Sequence, residues 1–435
     1  MTIFSPFPPG DYRLVNATVP QCLLERKDGG DRDSGALIPV AITVSAGKIR
    51  RIEPMPAAAA ELPSIDLDGG MVWPTCADLH THLDKGHIWS RTPNPTGSWR
   101  DAVELVGQDR EANWSAEDIA LRADFSLRCA YAHGTSAIRT HVDSFGPQSY
   151  ISWPAMARMR DRWAGRIALQ CVSLGMIDMY AGGEGERHAN LVAEHDGILG
   201  AVVIDHPDPA PALDRVFALA RERDLDLDFH ADETDNPASN GLAAIAEATI
   251  RHGWQGRVTA GHCCSLARQP ELEAAHTVMR LAEAGVAVVS LPMCNLYLQD
   301  RQARGYTPRW RGVTLVNELA TAGVPVSIGS DNTRDPFYAY GDLDPVEVFT
   351  QAVRIAQLDS PLGNWVRAVT ATPALIMGAE AGMLREGGGA DLILFRARNW
   401  SELLSRPGGP RLVVRAGRPV VEGPPDFREL DQIRR

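Results

Sequence analysis

The chain has 435 residues, 44% hydrophobic and 23% charged, an ordinary soluble composition long enough for one large domain and a smaller one. A formal net charge of −12 argues against nucleic acid as a partner, since phosphate binding needs a basic surface. No apolar run approaches the roughly 20 residues of a membrane span. Met1 to Pro9 has no basic start and no long apolar stretch, so no secretory signal is expected; with seven scattered cysteines that make no disulfide framework, a cytoplasmic protein is expected.

In chain order, residues 10 to about 70 read as short strands and turns. "ALIPVAITVSAGKIRRIEP" holds two β-rich runs around Ala46-Gly47, a hairpin signal. A rhythm of apolar strands and longer amphipathic stretches follows. The predicted strands cover 72–79, 136–142, 166–172, 199–204, 225–230, 257–262, 286–291 and 324–329. Predicted helices lie between them: "APALDRVFALARERD", "NGLAAIAEATIRHG", "ELEAAHTVMRLAEAG" and "GVTLVNELATAG". Several reach a Gly just before the next strand, as helix C-termini tend to. Near the end, "EGGGADLILFRARN" and "PRLVVRAGRPVVEG" return to Gly-rich turns and Val/Leu/Ile strands.

Strand alternating with helix implies a parallel sheet. Eight such units predict an α/β fold, a (β/α)₈ barrel of the TIM type. A doubly wound sheet would carry a Gly-rich fingerprint after its first strand, and none follows residue 79. The expected division is 1–71 and 376–435 as two parts of one small β-sandwich domain, and 72–375 as the barrel.

Chemistry in such barrels sits at the C-terminal strand ends. Those ends carry His80 and His82; then Arg139, His141 and Asp143; then Asp205 and His206. They continue with His230, Asp232 and Glu233, then His262, then Asp331 and Asn332. His80 and His82 lie two apart, so a strand end projects both to one side. Alone, this pair reads as surface histidines; collected with the other strand ends, it reads as a metal site. His80, His82, His230 and Asp331 suffice for one divalent ion, zinc or iron(II), leaving a position for a water made acidic by the metal. A second metal would need a bridging carbamylated lysine on the fourth strand. Lysine occurs only at Lys27, Lys48 and Lys85, so one metal is expected.

"DLHTHLDK", "FHADETD", "TAGHCCSLA" and "IGSDNTRDPFYAYG" resemble the amidohydrolase superfamily. "IRTHVD" and "NLYLQDR…TPRWRGVT" narrow the resemblance to its cytosine deaminase and N-isopropylammelide amidohydrolase branch. The resemblance spans most of the chain. It implies His80, His82, His230 and Asp331 as metal ligands, Glu233 as the acid that carries a proton to a ring nitrogen, and His262 beside the attacking water. Lys85 receives no role from it. The branch places a glutamine after the third strand to read a pyrimidine edge; here Gly175 and Met176 stand there. Asn332 replaces a second aspartate of cytosine deaminase, and Phe337 stands where tryptophan is common. These departures point away from cytosine itself.

The expected activity is hydrolytic release of ammonia or an amine from a small nitrogen heterocycle such as cytosine, isocytosine or an amino-triazine. Glu233, His262 and Asp331 are the expected catalytic residues. Leu83, His141, Asp143, Met176, Asn332 and Phe337 are the expected substrate contacts. The enzymatic rival is a cyclic-amide hydrolase that opens a ring; a non-catalytic scaffold would have lost ligands that are all present. Expected partners are a small heterocyclic substrate, with neither nucleic acid nor membrane; exposed Trp and Leu on loops allow a homo-oligomer.

Overall fold

The structure, a computed structural model, describes residues 4, 6–25, 35–56, 61–301 and 306–434. Its strands run β1 (Tyr12–Pro20), β2 (Leu37–Ser45), β3 (Lys48–Pro54), β4 (Ser64–Asp66), β5 (Val72–Pro74), β6 (Cys76–Thr81), β7 (Thr135–Asp143) and β8 (Ala168–Leu174). They continue with β9 (Leu199–Val203), β10 (Leu227–Ala231), β11 (Val258–His262), β12 (Ala287–Ser290), β13 (Val326–Ile328), β14 (Leu392–Phe395), β15 (Arg411–Arg415) and β16 (Arg418–Pro419). Two compact units result.

The first unit joins Met1–Asp78, Arg128–Ala137 and Asp344–Pro424. It holds two four-stranded sheets, ordered β3-β2-β1-β4 and β16-β15-β14-β5. Alternate residues point to one face of a strand, so Val40, Ile42 and Val44 of β2 enter one core with Leu392 and Leu394 of β14 and Val414 of β15. Chain ends are tied by backbone bonds: Ile49 N–H to Gly388 O at 2.9 Å and Gly387 N–H to Ile49 O at 2.7 Å. The Ala46-Gly47 turn has φ of 49° and 76°, the left-handed pair of a two-residue hairpin. Ala416 and Gly417, at 47° and 73°, repeat it between β15 and β16. In each turn a carboxylate accepts the alanine N–H: Asp11 at 3.2 Å for Ala46, Asp391 at 2.6 Å for Ala416.

One expected strand divides. The apolar run 72–79 forms β5, antiparallel to β14 in the sandwich, and then β6 in a different sheet. Pro74 has no N–H to continue a ladder, and the next amide, Thr75, donates to Asp391 O at 3.1 Å. The chain therefore changes sheet within an unbroken hydrophobic stretch.

The second unit joins Leu79–Leu127, Ile138–Leu343 and Pro425–Arg435. Strands β9 to β13 are parallel neighbours in order, and β6-β7-β8 form a second run. Val172 pairs with Ile198 and Met176 with Val202, joining β8 to β9. At the other seam Thr81 pairs with Asp331, whose N–H donates to His80 O at 2.9 Å. Eight parallel strands thus close into a (β/α)₈ barrel. Every residue of β9, β10 and β11 is buried, as expected for strands covered on both faces.

Helix Ala210–Arg223 buries Leu213, Val216, Phe217 and Ala220, one stripe at helical spacing. Helices Gly241–His252 and Glu271–Ala284 end at left-handed Gly253 and Gly285. Asp224, φ 56°, does the same work for Ala210–Arg223. The third barrel strand starts two residues later than its expected 166, because Arg166 and Ile167 donate their amides to Trp163 O at 2.9 and 3.0 Å. No described helix is long and apolar enough to cross a membrane.

Candidate active site

Five imidazoles meet at the mouth of the barrel. The His80 ring centroid lies 4.0 Å from that of His141, 4.5 Å from His230 and 5.1 Å from His262. His82 stands 5.2 Å from His230. All five are buried. Room for His80 depends on Gly261: a Cβ there would lie 2.7 Å from His80 Cε1. Among the described residues, His262 Nε2 and both nitrogens of His141 find no hydrogen-bond partner. Buried polar atoms without partners are costly unless a ligand satisfies them.

The spacing of donors suits one ion. His82 Nε2 lies 3.2 Å from Asp331 Oδ1 and 3.2 Å from His230 Nε2, and His80 Nε2 lies 3.6 Å from the same carboxylate oxygen. Nitrogen and oxygen ligands each about 2.0–2.2 Å from one ion sit roughly 3 to 3.6 Å apart. Among the described residues two triads, His80/His141/His230 and His80/His262/Asp331, each bring one donor atom per residue within 4.8 Å of the others, and His82 joins them through Asp331 and His230. Burial pushes the pKa of His80, His82, His141 and His230 well below 6.5. It lowers that of His262 to about 3. The imidazoles are therefore neutral, the form that binds metal.

The loops leaving the strands are held in left-handed backbone. Asp232 (φ 48°), His262 (68°), Cys263 (55°) and Asp331 (64°) all adopt it without being glycine. Such residues persist where their surroundings over-determine them, commonly at functional sites. Asp232 shows how: its carboxylate accepts from Ser239 Oγ at 2.6 Å and from the first amides of the next helix, Gly241 at 3.0 Å and Leu242 at 2.8 Å.

Glu233 follows and turns its carboxyl into the cluster. Oε2 accepts from Trp99 Nε1 at 2.9 Å, and Oε1 accepts from Asn295 Nδ2 at 3.2 Å. Burial, then the neighbouring Asp331 charge, raises its pKa to about 8. Asn295 Nδ2 also lies 3.0 Å from His262 Nδ1. An amide N–H donated to Nδ1 leaves the imidazole proton on Nε2, the partnerless atom. Trp99 and Asn295 were not singled out from the sequence. The spacing of Trp99, Val103, Val106 and Arg110 could have exposed the first: they form one face of helix Trp99–Asn113. Asn295 opens the motif "NLYLQDR", which carries the resemblance but assigns it no role.

Beside the cluster opens a pocket with apolar walls, among them Val103 and Val106 of that helix, Leu174, Met176, Val202 and Ile204. Asp143, Asn332 and Phe337 also line it, as do His82, His230, Glu233 and His262. Leu83 and His141 do not. Leu83 is buried, with its N–H on Thr140 Oγ1 at 2.9 Å, and the fully buried His141 packs against the His80 ring. Lys85 and Arg110 do reach the pocket. Arg139 lies away from it, bonded to Asp228 at 2.8 Å and Gln170 at 3.1 Å. Asp205 accepts from Thr234 and Asn236, and His206 meets Asp178 at 3.0 Å, both outside the pocket.

Fold and site together define a metal-dependent hydrolase acting on C–N bonds other than peptide bonds. The chain belongs to the amidohydrolase family, whose model matches residues 150–421. It is 52% identical over 432 residues to a pterin deaminase of Rhizobium rhizogenes, covering 98% of each chain. It is similar to the solved structure of 5-methylcytosine deaminase from Klebsiella pneumoniae, with a TM-score of 0.80 and 24% identity over 95% of this chain and 98% of that one. The structure of N-isopropylammelide isopropylaminohydrolase from Burkholderia multivorans is similar too, with a TM-score of 0.72 and 25% identity over 94% and 98%.

Proposed function

We propose that this protein is a hydrolytic deaminase that releases the exocyclic amine of a pterin-type ring, a fused 2-amino-4-oxo heterocycle. The observation that carries the reaction class is Glu233 and His262 placed together against the His80/His82/His230/Asp331 cluster at the base of an apolar pocket. Support for the substrate class is the 52% identity to a pterin deaminase. Apolar walls with Met176 in place of an amide suit a wide flat ring better than a small polar pyrimidine.

His80, His82, His230 and Asp331 would hold one zinc or iron(II) ion. Bound there, the ion would supply Lewis acidity that makes a water acidic near neutral pH. Asp331 accepts a proton from the attacking water. Glu233 delivers a proton to the ring nitrogen beside the attacked carbon, then assists departure of the amine. His262 donates from Nε2 to the oxygen that develops negative charge. Trp99 and Asn295 fix the two oxygens of Glu233, so its proton meets the ring in one orientation.

The test is ammonia release from amino-pteridines, amino-pyrimidines and amino-triazines, with the Glu233→Gln variant in parallel. Ammonia from the pteridine, abolished in the variant, is the expected result. Ring opening without ammonia would favour the cyclic-amide hydrolase instead. Full turnover by the variant would contradict the proton role of Glu233.

A further inference from the structure

Lys85, Asp143 and Arg110 form a three-membered ion cluster in the wall of the same pocket. Lys85 Nζ donates to Asp143 Oδ1 at 2.8 Å, and Arg110 Nη1 donates to Oδ2 at 3.0 Å. The cluster is buried: side-chain exposure is 5% for Lys85, 3% for Asp143 and 15% for Arg110. It is also fixed. Asp84 Oδ2 accepts the Asp143 N–H at 2.7 Å, Phe337 lies 5.2 Å beneath the Lys85 ammonium, and Phe145 lies 4.5 Å beneath the Arg110 guanidinium.

Two other polar groups of the pocket already hold a partner within the protein. Trp99 Nε1 is spent on Glu233. Asn332 donates to Asp335 Oδ2 at 2.7 Å. In the ion cluster each Asp143 oxygen accepts a single bond, and the ammonium and guanidinium have donors beyond those bonds. The cluster therefore presents an acceptor flanked by donors. Ser144 N–H donates to Leu174 O at 2.8 Å, tying the end of β7 to the end of β8, so that Asp143 faces the same pocket as Leu174 and Met176.

We infer that the Lys85–Asp143–Arg110 cluster is the specificity element of the pocket and selects rings by a lactam edge. The ring N–H donates to Asp143, and the neighbouring carbonyl accepts from Lys85 or Arg110. This rests on the deaminase reading for the reaction, but not for the binding. A 2,4-diamino ring offers a donor where the carbonyl should be and has no lactam N–H. It would face two cations with an amine and leave buried polar groups unpaired, which a site of this kind rejects strongly.

The experiment measures binding by calorimetry to the full chain carrying Glu233→Gln. The probes are pterin and isocytosine, each set against its 2,4-diamino counterpart. The lactam ring should bind at least about tenfold tighter in each pair. Adding Asp143→Asn or Lys85→Met should bring each pair within about threefold, with metal content unchanged, and Lys85→Arg should restore part of the preference. Equal affinities within the pairs would overturn the inference. So would variants that weaken both members of a pair by one factor, which is what a structural role predicts, or failure of every lactam to bind. Wild-type protein that prefers lactams yet releases no ammonia would sink the proposed reaction and leave the recognition element standing.

Discussion

Glu233 is held from two sides that are remote in sequence, by Trp99 from helix Trp99–Asn113 and Asn295 from the short helix Pro292–Leu298 after β12. Glu233→Gln keeps the shape of the side chain but can accept only one of these two hydrogen bonds and cannot carry the proton, so kcat should fall about 10²- to 10⁴-fold with the metal retained. Asn295→Ala removes one donor serving both Glu233 and His262. Its expected effect is a fall in kcat of about 10- to 100-fold with little change in KM, readable from steady-state kinetics at constant metal content. The histidines and Asp331 were legible because each ends an apolar run, and strand ends converge in a barrel. Trp99 and Asn295 were not, since nothing in an indole or an amide announces a carboxylate 134 or 62 residues away.

At the scale of elements, β11 and helix Trp99–Asn113 shape the site through what they leave open. Gly261 on β11 makes space for His80. Gly261→Ala should displace that ring and lower metal occupancy and activity together by at least about tenfold, with the far-ultraviolet spectrum unchanged. The helix begins at Ser98, whose side chain accepts the Asp101 N–H, and it supplies a wall of the pocket. Val103 is 44% exposed on that wall, so a change of polarity there should carry little folding penalty. Val103→Asp should raise KM for an aromatic ring roughly tenfold, about 1.4 kcal/mol, at an unchanged melting temperature. The barrel rhythm was readable because strand and helix periods differ. The division of 72–79 into β5 and β6 was not, because both halves are apolar and only the partner across the ladder separates them.

For the whole molecule, the metal joins chemistry to stability. Three imidazoles and a carboxylate from β6 and its end, β10 and the loop after β13 meet, with Asp331 3.2 Å from His82 and 3.6 Å from His80, and His82 3.2 Å from His230. An ion bound only in the native state stabilises it by mass action, about 4 kcal/mol at a thousandfold excess over Kd. Prolonged chelation should abolish activity and lower the melting temperature by several degrees, and either zinc or ferrous iron should reverse both. The central claim is that one divalent ion sits among His80, His82, His230 and Asp331. Anomalous diffraction at the metal edge, on crystals of the purified protein, tests it most directly. The account predicts one strong peak about 2.0–2.3 Å from a nitrogen of each histidine and an oxygen of Asp331. A peak elsewhere, or none in active protein, would contradict it.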